Sequence, residues 1–127
     1  MQWKLHPYPP FTGYFISGEN NRKLKLKQIT EEFIDENITS AKVKDLSLIL
    51  GYSEVYTGEL IKAELGISFS QILQKRRCEK AAELLKGTRM SVKEIIGKVG
   101  YENETYFRNI FKDIYGVTPS EYRKDYE

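Results

Sequence analysis

One cysteine, one histidine and a net charge of only +2 are all that 127 residues offer to redox chemistry, metal binding and long-range attraction of polyanions. Cys78 has no second cysteine with which to form a disulfide, and with His6 as the sole histidine no donor set completes a metal site. No apolar run approaches the ~20 residues that span a bilayer. Three of the four prolines, Pro7, Pro9 and Pro10, crowd the amino terminus where a signal peptide would need an apolar core. These absences predict a cytoplasmic protein with no membrane partner. There is also no G-x-S-x-G, no phosphate-cradling glycine loop and no metal-spaced cluster, so the expectation is a non-enzyme with no catalytic residue, metal or cofactor. A chain of this length makes one domain or two very small ones, which excludes a large multidomain enzyme.

What is present is helical pattern and glycine punctuation, and the fold class read from it is all-α. Leu26, Ile29, Phe33 and Ile34 repeat at helical spacing and predict a first helix from about Lys25 to Asn37. A second runs from Val43 to Leu50 and ends at Gly51. A third is capped by Ser53 and runs to Leu65 before Gly66. The longest follows from Ser68 to about Lys86, ~19 residues or ~28 Å. Ser91 and Glu94 predict a capping box opening a fifth helix, and Asn103 opens a sixth with Tyr106, Phe107, Ile110, Phe111 and Ile114 as its apolar side. A short seventh turn starts at Thr118 with Pro119 in its first helical position. Residues 1–24 differ: Trp3, Tyr8, Phe11, Tyr14 and Phe15 without a helical period read as an irregular aromatic arm, with one short strand near Tyr14–Ile16.

Charge is patterned even though it nearly cancels. Arg22, Lys23, Lys25 and Lys27 form one basic cluster, and Lys75, Arg76, Arg77 and Lys80 another. Such patches either concentrate near phosphate or are merely solvated helix faces.

The chain also repeats itself. Val43, Lys44, Asp45, Leu46, Leu50, Gly51 and Tyr52 pair at constant offset with Val92, Lys93, Glu94, Ile95, Val99, Gly100 and Tyr101. After one extra residue at the turn, Tyr56, Leu60, Lys62 and Gly66 pair with Tyr106, Ile110, Lys112 and Gly116. Each copy is a short helix, a glycine turn and a longer helix, the layout of a helix-turn-helix. Major-groove faces on one side of B-DNA recur every ~34 Å, so a spacer helix of ~28 Å suits two such units that read adjacent grooves.

Gly51-Tyr52-Ser53, Gly66-Ile67-Ser68-Phe69, Ser91-Val92-Lys93-Glu94-Ile95, Val99-Gly100-Tyr101, Tyr106-Phe107, Phe111-Lys112 and Gly116-Val117-Thr118-Pro119-Ser120-Glu121-Tyr122-Arg123 resemble the DNA-binding domain of AraC/XylS-family bacterial transcription regulators. The resemblance spans about residues 26–124. It implies seven helices with two helix-turn-helix subdomains (43–65 and 92–115) joined by a linker helix (68–86), within a domain covering residues 25–127. It further implies binding to double-stranded promoter DNA and activation of transcription through RNA polymerase. On the sixth helix the matched DNA-contacting positions are Asn103, Glu104, Thr105, Arg108, Asn109 and Lys112. Arg108 suits guanine O6 and N7, Asn109 suits adenine N6 and N7, Thr105 suits a thymine methyl, and Lys112 suits a phosphate. On the third helix they are Ser53, Val55, Tyr56, Glu59 and Lys62.

The sequence departs from the family at Asn109 and Glu59, where arginine is common, and Gly58 stands inside the third helix. A carboxylate is repelled by phosphate but accepts from cytosine N4. Arg77 matches a family arginine and reads first as a lock between linker helix and subdomain, with phosphate contact second; Cys78 reads as a buried, inert thiol. The acidic third helix keeps a second function open, a protein-interaction module that pairs with another regulator and binds DNA weakly. Family members usually carry an effector-binding domain, which 24 residues cannot fold. The chain is therefore either a stand-alone regulator or a piece of a longer one, and the partner expectation includes a homodimer through the amino-terminal arm or through a missing domain.

Overall fold

The computed structural model describes residues 19–126, and these form seven helices in two compact units. The helices are α1 (Glu19–Glu36), α2 (Val43–Leu50), α3 (Glu54–Leu65), α4 (Phe69–Gly87), α5 (Val92–Lys98), α6 (Glu104–Tyr115) and α7 (Pro119–Asp125). The first unit holds α1 to α3 and the first turn of α4 up to Ile72. The second holds Ile38–Ser40 and, from Leu73, the rest of α4 with α5 to α7. The all-α expectation stands, and six of the seven helices fall within a residue or two of their predicted bounds.

α1 is the exception, because it begins at Glu19 and not near Lys25. Its first turns carry Asn21, Lys23 and Leu24 in solvent, and burial starts only at Leu26. A solvated turn has no apolar period to read, so the pattern revealed only the packed part. Residues 19–24 thus belong to a helix and not to an irregular arm. The predicted strand near Tyr14–Ile16, and the rest of the arm, lie outside the described residues.

The caps explain why the other boundaries were legible. Ser53 Oγ accepts from the Tyr56 N–H at 3.1 Å, and Asn103 Oδ1 accepts from the Tyr106 N–H at 2.9 Å. Each satisfies a helix-end donor that would otherwise lack a partner. Ser68 and Gln71 satisfy each other's N–H groups at 3.2 and 2.9 Å, and Thr118 and Glu121 do the same at 3.2 and 2.9 Å. The predicted box at Ser91 is only half built. Ser91 Oγ accepts from the Glu94 N–H, but the Glu94 carboxylate takes the Ser91 hydroxyl proton and not the backbone N–H.

In the first unit Leu26, Phe33, Ile34, Leu46, Leu50, Leu60 and Ile61 are buried, and Phe33 meets Phe69 with ring centroids 6.4 Å apart. In the second, Cys78, Ala81, Ala82 and Leu85 of α4 pack with Ile95, Ile96, Val99, Phe107 and Phe111. An aromatic run continues from Phe111 to Tyr122 of α7, edge-on at 5.5 Å. Arg123 then closes the end of α4, its Nε donating to the Leu85 carbonyl at 3.1 Å and its Nη2 to the Thr88 carbonyl at 3.3 Å.

Two glycines mark opposite requirements. Gly100 has φ +101°, and a Cβ there would sit 2.9 Å from Arg77 Nη2 and 3.0 Å from the Thr39 Cα. Gly58 is helical, and a Cβ added to it meets nothing within 4 Å. Gly100→Ala is therefore expected to destabilise the second unit by about 1–3 kcal/mol or more. Gly58→Ala is expected to stabilise the first by up to about 1 kcal/mol. Urea unfolding followed by circular dichroism checks both; equal effects of the two substitutions would contradict this account.

Candidate nucleic-acid interface

α6 is oriented by its own apolar residues. Phe107 and Phe111, four apart and therefore on one face, are fully buried, with ring centroids 5.8 Å from each other. The opposite stripe consequently faces solvent, and it holds Thr105, Arg108, Asn109 and Lys112. Asn103 stands exposed at the cap, and Glu104 is half-buried beside it. Arg108 Nη2 lies 3.6 Å from Glu104 Oε1, one helical turn away. An exposed pair of this kind is worth only about 0.3–0.5 kcal/mol, so it biases the guanidinium weakly and does not withdraw it from a stronger anion. The predicted positions on α6 thus run along one side of that helix, from Asn103 at its cap to Lys112 in its last turn.

α3 repeats the plan with different chemistry. Val55 (66% exposed), Glu59 and Lys62 are exposed on α3, and Ser53 is exposed at its cap. Tyr56 is not among them. It is 8% exposed and meets Tyr52 edge-on, with ring centroids 4.5 Å apart. It supports the turn and leaves the set of surface residues. Of the three α3 carboxylates, Glu64 faces Arg22 of α1 at 3.9 Å, which leaves Glu54 and Glu59 beside Lys62.

The two basic clusters are for the most part internally matched. Lys27 pairs with Glu31 at 3.9 Å, Arg76 with Glu79 at 3.7 Å and Lys80 with Glu83 at 3.8 Å. Arg77 is structural, as its place near the apolar side of α4 suggests. Its Nε donates to the Ile38 carbonyl at 2.7 Å, and its guanidinium sits 5.0 Å from the centre of the Tyr101 ring. Burial pushes the Tyr101 phenol up, and the Arg77 charge opposes that shift in part. The lock holds the α5–α6 turn, where Gly100 leaves the space that the guanidinium fills.

Tyr106 is a surface residue that the sequence reading assigned to the apolar side of α6. It is 49% exposed, and its hydroxyl accepts from Gln74 Nε2 at 3.0 Å. Its helical spacing matched a core position, and no sequence signal distinguished it from Tyr56.

Short helix, glycine turn and longer helix, written twice with a polar stripe exposed on each longer helix, define a tandem helix-turn-helix domain. The family model described as a helix-turn-helix domain matches residues 25–125. The F1 operon positive regulatory protein of Yersinia pestis is 35% identical over 104 residues, which are 77% of this chain and 35% of that protein. The C-terminal domain of AraT, a response regulator from Geobacillus stearothermophilus, superposes with a TM-score of 0.69 at 37% identity, over 79% of this chain and 84% of that one. The DNA-binding domain of AdpA, solved in complex with a target DNA, shares the fold with a TM-score of 0.69 at 23% identity, over 80% of this chain and 91% of that one. The chain belongs to the AraC/XylS family of transcriptional regulators and corresponds to its DNA-binding domain, a non-enzymatic family. It spans about a third of the length of the curated relatives it matches.

Cys78 sits fully buried in the core that Phe107 and Phe111 of α6 share. Burial, assisted by the neighbouring Glu79 carboxylate, pushes its thiol up to about 12. A raised folded value means that the thiol's contribution to stability is complete below the ordinary thiol range and is lost as pH rises towards 12. At pH 8 the native protein should resist iodoacetamide and label fully in urea. Rapid labelling of the folded chain would show the sulfur to be accessible.

Proposed function

We propose that the chain is the sequence-specific DNA reader of a bacterial, cytoplasmic transcriptional activator, with α6 and α3 entering successive major grooves of promoter DNA. The observation that carries this reading is the exposed stripe of α6, where Thr105, Arg108, Asn109 and Lys112 stand opposite two buried phenylalanine rings. Arg108 takes guanine or a phosphate, Asn109 takes adenine, Thr105 takes a thymine methyl, and Lys112 with the Asn103 end of the helix holds the backbone. The 19-residue α4 supplies the spacer. Activation, with RNA polymerase as its protein partner, is supported by the name of the Yersinia pestis relative, a positive regulator.

The second unit carries most of the affinity in this reading. The exposed charges of α3 include Glu54 and Glu59 against Lys62, so the first unit adds little or reads a narrow cytosine-containing element through Glu59. The same acidic face favours a second reading, in which the first unit meets another protein. Salt dependence separates the two, because phosphate contacts release counterions and a dry protein interface does not.

Sites selected from random duplexes should contain a groove-length block that depends on α6. Lys112→Ala should weaken all duplexes alike and lower the salt slope by about one, whereas Arg108→Ala should cost about 1–3 kcal/mol, chiefly on the selected site. Glu59→Arg should raise affinity for unselected DNA. Affinity that stays flat between low and physiological salt, and is untouched by Lys112→Ala, would refute the DNA-binding reading.

A further inference from the structure

We infer that Tyr106 is a phosphate-contacting residue of the α6 interface, its hydroxyl aimed by Gln74 of α4. The inference rests on the DNA-binding reading above and adds to it a contact of a different chemical kind.

The repeat supplies the first argument. Tyr56 and Tyr106 hold equivalent places in the two longer helices, yet one is 8% and the other 49% exposed. The fold can bury a tyrosine at this place, as the first unit shows. In the second unit the following residue is Phe107, fully buried, where the first unit has the smaller Thr57. Tyr106 stands outside beside Thr105 on the first turn of α6.

The hydroxyl geometry supplies the second. Tyr106 Oη accepts a hydrogen bond from Gln74 Nε2 at 3.0 Å, while the ring lies 6.0 Å from that of Tyr101. A half-exposed tyrosine is ordinarily free to swing about χ1, but here both ends of the ring are held. Because the oxygen accepts from Gln74, its own proton is left to donate, and accepting one bond polarises the O–H towards giving another. A phosphate oxygen is the acceptor of matching chemistry at a DNA interface, and a hydrogen bond to it is charge-assisted. A neutral donor of this kind holds a phosphate without displacing a counterion.

That last property gives the contact its own signature. The full chain is titrated against a fluorescein-labelled selected duplex and a scrambled duplex over a range of salt. Tyr106→Phe, which removes only the oxygen, should weaken both duplexes by the same factor, about tenfold, with an unchanged salt slope. Lys112→Ala, in contrast, lowers the slope. Gln74→Ala should reproduce part of the loss, and should add nothing in the Tyr106→Phe background, since it acts through the same hydroxyl. Parental affinity in Tyr106→Phe, a loss confined to the selected duplex, or a loss of helical signal in that variant would each overturn the inference. A parent chain that binds neither duplex would instead remove the DNA-binding reading itself.

Discussion

Two phenylalanine rings set the orientation of the helix on which the proposed DNA contact depends. Phe107 and Phe111 lie four residues apart and are both fully buried, so α6 has no freedom to rotate about its axis without exposing one of them. Removing either ring from the core would cost roughly 3–5 kcal/mol, about the size of a small unit's whole margin of stability. The exposed stripe of Thr105, Arg108, Asn109 and Lys112 is the geometric complement of that burial. None of these residues is oriented by a strong polar contact of its own; the core does it for them.

The turn ahead of α6 is fixed by a second, tighter device. Gly100 adopts a backbone conformation open to glycine, and the space it leaves is filled by the Arg77 guanidinium, which reaches the Ile38 carbonyl and lies against Tyr101. One cation thus satisfies a carbonyl, packs an aromatic ring and occupies a gap. Arg77 is accordingly half-buried against its unit while Lys75 and Lys80 remain exposed.

The two copies of the repeat share a backbone plan and diverge in chemistry. Ser53 and Asn103 cap in the same way, Gly66 and Gly116 end their helices with the same left-handed geometry, and the paired positions Leu46 and Ile95 are both buried. The exposed stripes differ, with glutamates prominent on α3 and Arg108, Asn109 and Lys112 on α6. Duplicating a stable frame while varying its exposed face lets one fold carry two unlike surfaces, because exposed positions contribute little to stability and are free to differ.

Helix order, caps, turns and the exposed face of α6 were legible in the sequence, because each follows from local rules: a side-chain oxygen ahead of an apolar period, a glycine behind it, and a 3.6-residue repeat between. The start of α1 was not legible, since a solvated turn leaves no apolar period to read. Nor were the fates of Tyr56 and Tyr106, which the same spacing places alike. Tyr56 meets the Tyr52 ring while the Tyr106 hydroxyl accepts from Gln74, contacts that helical spacing does not reveal. The hold of Gln74 on Tyr106 and the carbonyl that Arg77 reaches likewise join residues more than 30 positions apart, a separation at which helical period carries no information, although Arg77 itself reads as a lock from the sequence. The sequence by itself determined the elements and the outward stripe. Only tertiary packing decided that Tyr106 would stand outside and Tyr56 inside, and which carbonyl and ring Arg77 would meet, because those contacts join residues that no local period relates.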